Sequence, residues 1–581
     1  MEGELKNITI ESLPARDGNQ YLNITTVAGS YRMNSNYRPL TEAAKWAEGL
    51  ELAQTGAVVL MYGLGNGYCV RELLKHLSSD AALILWEPSV AVYEHIKQKY
   101  DISDILQDAR VRLLIYGQNE REIFALLDTK IHWSNAKKQS ICIHPQYDKV
   151  FPKGLAFFEE IIRNNNVRIY TNRNTEMHFG EAIATNTAFN LRYVPEAFLV
   201  RDIVGKFPKE VPAIIVAAGP SLDKNIEELK RAKGKAVIVA TDTALRSLIK
   251  HEIIPDFAVV LDAKKPPSYF QNPESHQIPL FAKIEANKDI LVLHQTEKIW
   301  YDSHEYLKRF LTRIDRTPRD YHAGGSVANA AFSICSTLGF ERIVLIGQDL
   351  AYQGDVTHAG GRVSSIRAED ENVCYVDGVD GKPVKTRHDW VQYLKWFERV
   401  IGEVQGEIEV IDATEGGALI RGAKLMTLAE VIDRYCHTEC DAYRVLQENS
   451  RALSEAERSK FADYIKESLA EAEAMEALSQ QICEQCMEVQ KALQAGAWSL
   501  SKQQQLREQI GRVNARLQQM NFFLLVDDYT KKVSIPAITE MLEAEGSEEE
   551  RFAVYLRSNC TIHEAFKEAA ELLTPLLEEA L

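Results

Sequence analysis

Residues 213–223 constrain the fold of this chain more than any other stretch. A short apolar run ends abruptly in Gly219-Pro220-Ser221, and apolar residues at helical spacing follow. This order predicts a buried strand, a tight glycine turn and the start of a helix. Such a turn points backbone N–H groups and the positive end of a helix dipole beyond the carboxyl end of the strand, where a phosphate can bind.

A second block, residues 324–361, supplies a comparable arrangement further along the chain. Gly324, Gly325 and Ser326 precede a helix dense in small residues, and Ser326 suits the N-cap of that helix. A buried strand over 343–346 then ends in Gly347-Gln348-Asp349. Because ligands of open α/β sheets bind outside the carboxyl ends of the strands, both blocks predict polar groups at the same edge of one sheet.

Together the two blocks resemble the motility accessory factor (Maf) family, bacterial proteins that glycosylate flagellin. They are similar, more distantly, to bacterial sialyltransferases. Those enzymes carry a Gly-Pro-Ser-Leu turn, a Ser-Gly helix start and a Gly-x-Asp strand end in this order. The resemblance covers residues 20–430, and it is specific because several motifs agree in order and spacing.

The pattern of elements predicts an α/β chain of three domains. Residues 1–170 are expected to form a Rossmann-like domain, and residues 171–425 a doubly wound, sialyltransferase-like domain. The predicted strands of this central domain have their cores at 213–217, 236–240, 256–261, 279–284 and 342–346. Residues 426–581 are expected to form an α-helical bundle, with long helices over 446–495 and 501–525 and breaks at Gly496 and near Pro536.

The resemblance implies a glycosyltransferase that moves a nonulosonic acid, of the pseudaminic or legionaminic kind, from CMP to Ser or Thr of flagellin. It implies no cofactor and no metal for the chemistry, and the sequence has no Asp-x-Asp pair of the kind that holds a cation in other sugar-nucleotide transferases. The residues that it assigns to the nucleotide and its phosphate are Gly219, Pro220, Ser221, Thr241, Asp242, Gly324, Gly325, Ser326, Gly347, Tyr352, Thr414 and Glu415.

Several of these residues have a second interpretation. Asp242 is also a suitable N-cap for the helix that follows it. Thr414 and Glu415 either close over the nucleotide or form a turn before the helical domain. Tyr352 lies one position beyond the place where the relatives have an aromatic hydroxyl, and Ala351 stands at that place.

Transfer to a hydroxyl group needs a general base within hydrogen-bond distance of that hydroxyl. Histidine is suited to this role because its pKa lies near neutrality. His358, on a glycine-bounded loop after Asp349, is the leading candidate; His388 and His322 are the others, and Asp349 could also serve as a carboxylate. The sequence leaves the choice open.

The N-terminal domain contains a glycine loop of its own, Gly63-Leu64-Gly65-Asn66-Gly67. About 20 residues later a strand ends in Glu87, a pattern that can hold the ribose of an adenosine cofactor. Two interpretations remain open: a ligand site, as in methyltransferases and dinucleotide enzymes, or a structural Rossmann unit without a ligand.

Bulk properties limit the classes of partner. A net charge of −16 argues against nucleic acid, and no apolar stretch has the roughly 20 residues that a membrane helix needs. The first residues have no basic or hydrophobic signal region, and nine scattered cysteines fit reduced thiols in the cytoplasm. Because the pairs Cys436/Cys440 and Cys483/Cys486 lie in helical pattern, we expect buried thiols there, not a zinc site.

Two further functions remain as alternatives. A pterin pyrophosphokinase family of archaea shares the Gly-Pro-Ser-Leu central domain and transfers diphosphate from ATP, a reaction that needs magnesium and carboxylates to hold it. Alternatively, the loop of Gly63–Gly67 with Glu87 would bind S-adenosylmethionine in a methyltransferase. Homo-oligomerisation is compatible with the helical tail.

Overall fold

The computed structural model of this chain describes residues 8–52, 55–301, 304–319, 321, 324–354, 356–360, 373–497 and 499–581. The chain divides into two compact units, Met1–Glu176 and Met177–Leu581. None of the described helices is both long enough and apolar enough to cross a membrane.

The first unit has a Rossmann-like core. Its strands are β1 Thr9–Pro14, β2 Gln20–Thr26, β3 Gly29–Arg32, β4 Val58–Tyr62, β5 Ala82–Glu87, β6 Val111–Ile115 and β7 Gln139–Ile143. Its helices are α1 Pro39–Glu48, α2 Tyr68–His76, α3 Val90–Lys99, α4 Ser103–Gln107, α5 Glu122–Lys130, α6 Tyr147–Val150 and α7 Pro152–Asn190, which continues into the second unit. β1, β2 and β3 form an antiparallel sheet, and a parallel sheet has the order β6-β5-β4-β7.

The second unit is built on a long parallel sheet. Its strands are β8 Phe198–Leu199, β9 Ala213–Val216, β10 Val237–Thr241, β11 Phe257–Val260, β12 Leu280–Ala282, β13 Lys298–Trp300, β14 Arg342–Ile346, β15 Val373–Asp377, β16 Pro383–Arg387, β17 Glu409–Asp412 and β18 Lys424–Leu425. The order in the nine-stranded sheet is β18-β17-β14-β9-β10-β11-β12-β13-β8, and β15 pairs with β16 in a separate antiparallel hairpin. The central strands are fully buried because helices cover both faces of the sheet.

Helices surround this sheet and then form the C-terminal region. They are α8 Leu222–Asn225, α9 Leu229–Ala232, α10 Asp242–Lys250, α11 Lys288–Leu293, α12 Glu305–Arg313, α13 Val327–Leu338, α14 His388–Glu403, α15 Leu428–Tyr435, α16 Ala442–Asn449, α17 Glu455–Gln494, α18 Leu500–Leu517, α19 Phe523–Glu543 and α20 Glu548–Glu578. Short 3₁₀ helices occur in both units. The first unit has one at Ala136–Lys138, and the second has them at Leu191–Tyr193, Val200–Ile203, Ile226–Glu228, Pro267–Phe270 and Pro273–Gln277.

The predicted fold class is confirmed: a Rossmann-like first unit, a doubly wound central sheet and a C-terminal helical region. The five predicted strand cores correspond to β9, β10, β11, β12 and β14. Pro536 does not break a helix as predicted but lies inside α19, where the buried neighbours Ile535 and Ala537 anchor the helix on both sides of it. A single hydrophobic core contains both Ile214 of β9 and Leu573 of α20, so the C-terminal helices belong to the same compact unit as the sheet.

Candidate functional site

The order in which strands are added to the central sheet reverses at β9, and the carboxyl end of β9 marks this switch point. The chain adds β10, β11, β12 and β13 on one side of β9, and it then returns to add β14 and β17 on the other side. Ligands of open α/β sheets bind in the crevice at such a point. A cavity of about 180 Å³ lies here, lined by residues that follow β9, β10 and β14 and by the first turns of α13 and α14.

The two glycine blocks of the sequence meet at this cavity. The lining contains Gly219 from the first block and Ser326, Gly347, Asp349 and His358 from the second. They are neighbours because β9 pairs directly with β14, with Val216 opposite Ile346 in the last register pair. The parallel arrangement brings residues about 130 positions apart in the sequence to one edge of the sheet.

A hydrogen-bonded pair of side chains locks the two bends together. The Ser221 hydroxyl donates to Asp349 Oδ2 over 2.7 Å, and the Ser221 backbone N–H contacts both carboxylate oxygens at 3.3 Å. Both residues are buried, and burial raises the pKa of the Asp349 carboxyl although the bonds from Ser221 act in the opposite direction. Asp349 therefore acts first as an internal brace of the site.

The glycine at 219 is required by close packing against this brace. A Cβ atom at Gly219 would lie 2.0 Å from Asp349 Oδ2 and 2.4 Å from the Gly347 carbonyl oxygen. The backbone N–H of Gly219 donates to that same carbonyl oxygen over 2.7 Å. The sequence predicted free N–H groups at this turn, but those of Gly219 and Ser221 already have acceptors within the protein, and Pro220, which is buried, has none to offer.

The helix after this turn also differs from the prediction. α8 has only four residues, and it passes directly into the 3₁₀ turn Ile226–Glu228. The field of a helix dipole grows with the number of aligned peptide units, so a single turn contributes little. The first glycine bend shapes the wall of the cavity. The capacity of the cavity to hold an anion must therefore come from other elements.

The second glycine block supplies such an element, the N-terminus of α13. Ser326 is the N-cap, and its hydroxyl accepts from the Asn329 N–H at 3.1 Å within a capping box. The next two residues, Val327 and Ala328, line the cavity, and helix geometry gives their N–H groups no intrahelical acceptor. α13 has 12 residues, so its dipole and two N–H groups together form an anion-binding end.

Gly324 and Gly325 allow the chain to approach this helix end closely. A Cβ atom at Gly324 would lie 2.4 Å from Cβ of Asn329, the residue of the capping box. At Gly325 it would lie 2.7 Å from Cε1 of Tyr393 on α14. Neither glycine is part of the cavity lining. The structure therefore gives them the role of positioning the start of α13, where the sequence predicted contact with the nucleotide.

Asp242 and Lys265 form a buried ion pair at the third strand end. Asp242 is the first residue of α10, and its Oδ1 lies 3.0 Å from Lys265 Nζ and accepts from the Thr243 N–H at 2.6 Å. Among the described residues, no donor contacts the buried Oδ2 of Asp242. Thr241, the N-cap, donates its hydroxyl to the Val216 carbonyl oxygen over 3.2 Å and so joins β10 to β9.

Lys265 is the cation that the sequence analysis missed. It lines the cavity, it is largely buried, and its ammonium also contacts Thr243 Oγ1 at 2.9 Å and lies 4.1 Å from the centre of the Tyr269 ring. No motif surrounds it: it follows β11 within Asp-Ala-Lys-Lys-Pro. The only available signal was its position a few residues beyond a strand end on the predicted ligand edge.

Aromatic side chains from α14 complete the cavity. Trp390 and Tyr393 line it, one turn apart on the same helix face. Tyr352 does not line it; the centre of its ring lies 5.0 Å from the ring centre of Trp390, and Lys385 Nζ lies 5.4 Å from the Tyr352 ring centre. The geometry thus gives Tyr352 a supporting position, where the sequence suggested a phosphate contact.

Of the histidine candidates, His358 lies at the cavity and His388 does not. His358 lines the cavity, and its Nδ1 is 2.9 Å from Oγ1 of the buried Thr357, which fixes the imidazole orientation. His388 is the exposed first residue of α14 and is absent from the lining. His322, the third candidate, lies outside the described residues.

Thr414 and Glu415 are not among the residues that line the cavity. Thr414 Oγ1 accepts from the Gln348 N–H at 3.3 Å. Glu415 Oε1 accepts from Asn225 Nδ2 at 3.0 Å and from the Leu428 N–H at 3.1 Å. These bonds favour the second interpretation of the sequence, a turn that joins the sheet to the helices after it.

Asp412, just before this turn, is a buried carboxyl that the sequence analysis did not single out. Its Oδ1 accepts from the Thr414 N–H at 3.0 Å, and among the described residues its buried Oδ2 has no donor. Burial raises the pKa of Asp412 to about 6, and the neighbouring Asp349 carboxylate adds to the effect. The base of the site thus holds two carboxyl groups, Asp349 and Asp412, and the negative charge of one disfavours ionisation of the other.

The glycine loop of the first unit is filled by the protein itself. A Cβ atom at Gly65 would lie 2.1 Å from His144 Nε2, and one at Gly63 would lie 2.5 Å from the Tyr147 ring. Glu87, the predicted ribose ligand, is fully buried; its Oε2 accepts from the Tyr147 hydroxyl at 2.9 Å and from the Leu64 N–H at 3.0 Å. Burial raises the pKa of Glu87 to about 7.

Comparisons with known proteins agree with this architecture. Residues 185–355 match a family model described as 6-hydroxymethylpterin diphosphokinase MptE-like. An uncharacterized protein of Treponema pallidum (strain Nichols) is 26% identical over 173 residues, which are 29% of this chain and 78% of that protein. The structure of the Maf glycosyltransferase from Magnetospirillum magneticum AMB-1 is similar with a TM-score of 0.57 and 14% identity, covering 98% of this chain and 92% of that one. The predicted resemblance to Maf proteins is thereby confirmed as a likeness of fold along nearly the whole chain.

Proposed function

We propose that this chain is a glycosyltransferase whose donor nucleotide binds in the cavity at the switch point of the central sheet. One observation carries the proposal. The Gly219 bend, the N-terminus of α13 and the Gly347–Asp349 strand end line a single cavity together with the ammonium of Lys265. The fold likeness to a Maf glycosyltransferase supports the same class of reaction.

The donor that suits this cavity carries one phosphate, as a CMP-sugar does. The anion would bind at the N–H groups of Val327 and Ala328, with Lys265 near enough to add positive potential. Two acceptor atoms in the lining, Asp242 Oδ2 and Gln348 Oε1, have no donor among the described residues, and an amino group or ribose hydroxyls of the nucleoside would satisfy them. The cavity volume of about 180 Å³ is small, so the sugar would extend towards the mouth beside Trp390 and Tyr393.

The transfer step requires a base and a stabilised leaving group. In our proposal the acceptor oxygen bonds to the anomeric carbon while the bond from that carbon to the phosphate oxygen breaks, and His358 takes the proton of the acceptor hydroxyl. CMP leaves with both electrons of the broken bond, and the developing charge is met by the α13 N-terminus and Lys265. General-base catalysis of this kind contributes roughly 10²- to 10⁴-fold to a rate.

The specific substrates follow the resemblance that the motifs carry. We propose a nonulosonic acid of the pseudaminic or legionaminic kind as the sugar and Ser or Thr of flagellin as the acceptor, so that the activity serves assembly of the flagellum. We place the reaction in the cytoplasm because all nine cysteines are free thiols. We further propose that the chemistry needs no metal or other cofactor.

Intact-mass analysis of flagellin tests this function directly. Purified chain, unmodified flagellin and a CMP-nonulosonate should give a mass increase of one or more sugar residues, and Ser221→Ala or Asp349→Ala should abolish it. Folding of each variant is verified by circular dichroism. An unchanged flagellin mass with the folded wild-type chain and several CMP-nonulosonates would overturn the proposal.

The match of residues 185–355 to the MptE-like family supports a second candidate, transfer of diphosphate from ATP to a hydroxymethylpterin. Calorimetric titration with CMP and with ATP in the presence of Mg²⁺ separates the two. A methyltransferase is disfavoured, because His144 and Tyr147 occupy the space in front of the first glycine loop. S-adenosylmethionine, added as a third titrant, should not bind.

A further inference from the structure

Two helices of the C-terminal region bring together three metal-ligating side chains that the proposed transfer does not use. Cys483 lies on α17, and Cys560 and Glu564 lie one turn apart on α20. Sγ of Cys483, Sγ of Cys560 and a carboxylate oxygen of Glu564 all lie within 4.8 Å of one another. Cys560 is 77 residues from Cys483 along the chain, so sequence spacing gives no hint of this group.

The spacing of these atoms fits a tetrahedral ion. Zinc has sulfur ligands at about 2.3 Å and oxygen ligands at about 2.0–2.2 Å, so a tetrahedral site separates sulfur from oxygen by roughly 3.6 Å and sulfur from sulfur by roughly 3.8 Å. Cys560 Sγ lies 3.6 Å from Glu564 Oε1. The other pairs of ligand atoms lie within 4.8 Å of one another, so small side-chain adjustments bring them to the distances of a tetrahedral site.

The helix pair provides a firm frame for such a group. Ser479 contacts His563 at 3.1 Å, and Cys483 contacts the Cys560 carbonyl oxygen at 3.6 Å, so the two helices run antiparallel across this region. Ligands one turn apart on one helix, facing a ligand on its neighbour, are a recurrent way to build metal sites in helical bundles. A buried layer that includes Ile482 and Leu556 lies beside the group and restricts water access from one side.

We propose that Cys483, Cys560 and Glu564 bind a thiophilic divalent cation of the zinc class that clamps α17 to α20. Two thiols, one carboxylate and a water molecule on the exposed side complete four-coordination. Binding releases both thiol protons to solvent, and the divalent ion offsets two of the three negative charges of the two thiolates and the carboxylate. This site is structural, since it belongs to the helical region and contributes nothing to the cavity at the sheet edge.

The chemistry of the free thiols predicts a steep pH dependence. An ordinary cysteine thiol has a pKa of about 8.5, which lies above neutrality. Both thiols therefore carry their protons at neutral pH when no ion is bound. Because binding displaces two protons, the apparent affinity should rise about 100-fold for each unit of pH in the neutral range.

Cobalt titration of the full-length chain tests the proposal. The reduced protein, stripped with a chelator, should bind one equivalent of Co²⁺ and develop a thiolate-to-cobalt charge-transfer band that Zn²⁺ abolishes. Cys483→Ser and Cys560→Ser should each weaken binding at least about 100-fold, and Glu564→Gln about 10- to 100-fold. Cys440→Ser, a thiol outside the group, is the matched control and should bind as the wild type does.

A second readout on the wild-type protein guards against variants that fail to fold. Zn²⁺ should slow alkylation of Cys483 and Cys560, measured by peptide mass spectrometry, and leave the rate at Cys374 unchanged. Three results would overturn the proposal: no charge-transfer band, an undiminished band in Cys483→Ser, or a Cys483–Cys560 disulfide in the protein as isolated from cells.

Discussion

Substitution of Gly219 by alanine tests the packing on which the candidate site depends. The new Cβ would lie 2.0 Å from Asp349 Oδ2 and 2.4 Å from the Gly347 carbonyl oxygen, both well inside van der Waals contact. Neither atom can move freely, since Asp349 is held by Ser221 at 2.7 Å and Gly347 accepts the Gly219 N–H at 2.7 Å. The substitution therefore has to separate the two bends.

The magnitude follows from the contacts that are lost. Overpacking of a buried site costs about 1–3 kcal/mol, and loss of the Ser221 bond to a buried carboxyl adds roughly 1–3 kcal/mol. We expect Gly219→Ala to lower the free energy of unfolding by about 2–6 kcal/mol, measured by urea denaturation, and to weaken CMP binding at least about tenfold, measured by calorimetry.

A matched control makes the result specific. Gly511 is exposed in the interior of α18, and apart from the backbone of its own helix no atom of the described residues lies within 4 Å of the place that a Cβ would take. Gly511→Ala should therefore stabilise the helix by about 0.5–1 kcal/mol and leave CMP binding unchanged. If Gly219→Ala unfolds at the wild-type urea concentration and binds CMP with unchanged affinity, the close approach of the two bends is wrong.

Three further predictions use matched or pH-resolved comparisons. His358→Ala should lower kcat for sugar transfer by roughly 10²- to 10⁴-fold, whereas the exposed His388→Ala should retain nearly the wild-type rate; equal losses in both would exclude our choice of base. Lys265→Ala should weaken CMP binding about tenfold or more, but its exposed neighbour Lys264→Ala should not, as calorimetry can verify. Burial raises the pKa of Asp412 from 3.8 to about 6, so the unfolded state releases this proton first, and the group increasingly destabilises the fold as pH rises from 3.8 to about 6. The loss corresponds to about 3 kcal/mol by pH 7, and Asp412→Asn should remove it from the difference between urea midpoints at pH 4 and pH 7.

The fold and the location of the site could be predicted from the sequence because glycine or polar residues mark the points where buried strands end. Apolar runs that stop at Gly219, Asp242 and Asp349 predicted parallel strands with polar groups at one edge, and the β9–β14 pairing brings them together. The sequence also identified Ser326 as a helix N-cap, because serine is strongly preferred at that position, and the structure shows its side chain in a capping box with Asn329.

Partners within the site could not be predicted, because they depend on side chains far apart in the sequence. The bonds between Ser221 and Asp349 join residues 128 positions apart. They occupy the Ser221 backbone N–H, which the geometry of the turn alone would leave free. Lys265, on the chain after β11, has no motif that marks it. In the first unit, Tyr147 lies 82 residues from Gly65 in sequence, and its hydroxyl accepts the N–H of that glycine. Only the folded chain reveals that this loop is already filled.

In our proposal, the cavity between the two glycine bends binds the nucleotide of a sugar donor. A crystal structure of the chain soaked with CMP tests it most directly. We expect density for the phosphate at the N–H groups of Val327 and Ala328, with Lys265 within contact distance and the nucleoside against Asp242. Absence of CMP at millimolar concentration, or CMP bound at the glycine loop of the first unit, would contradict it.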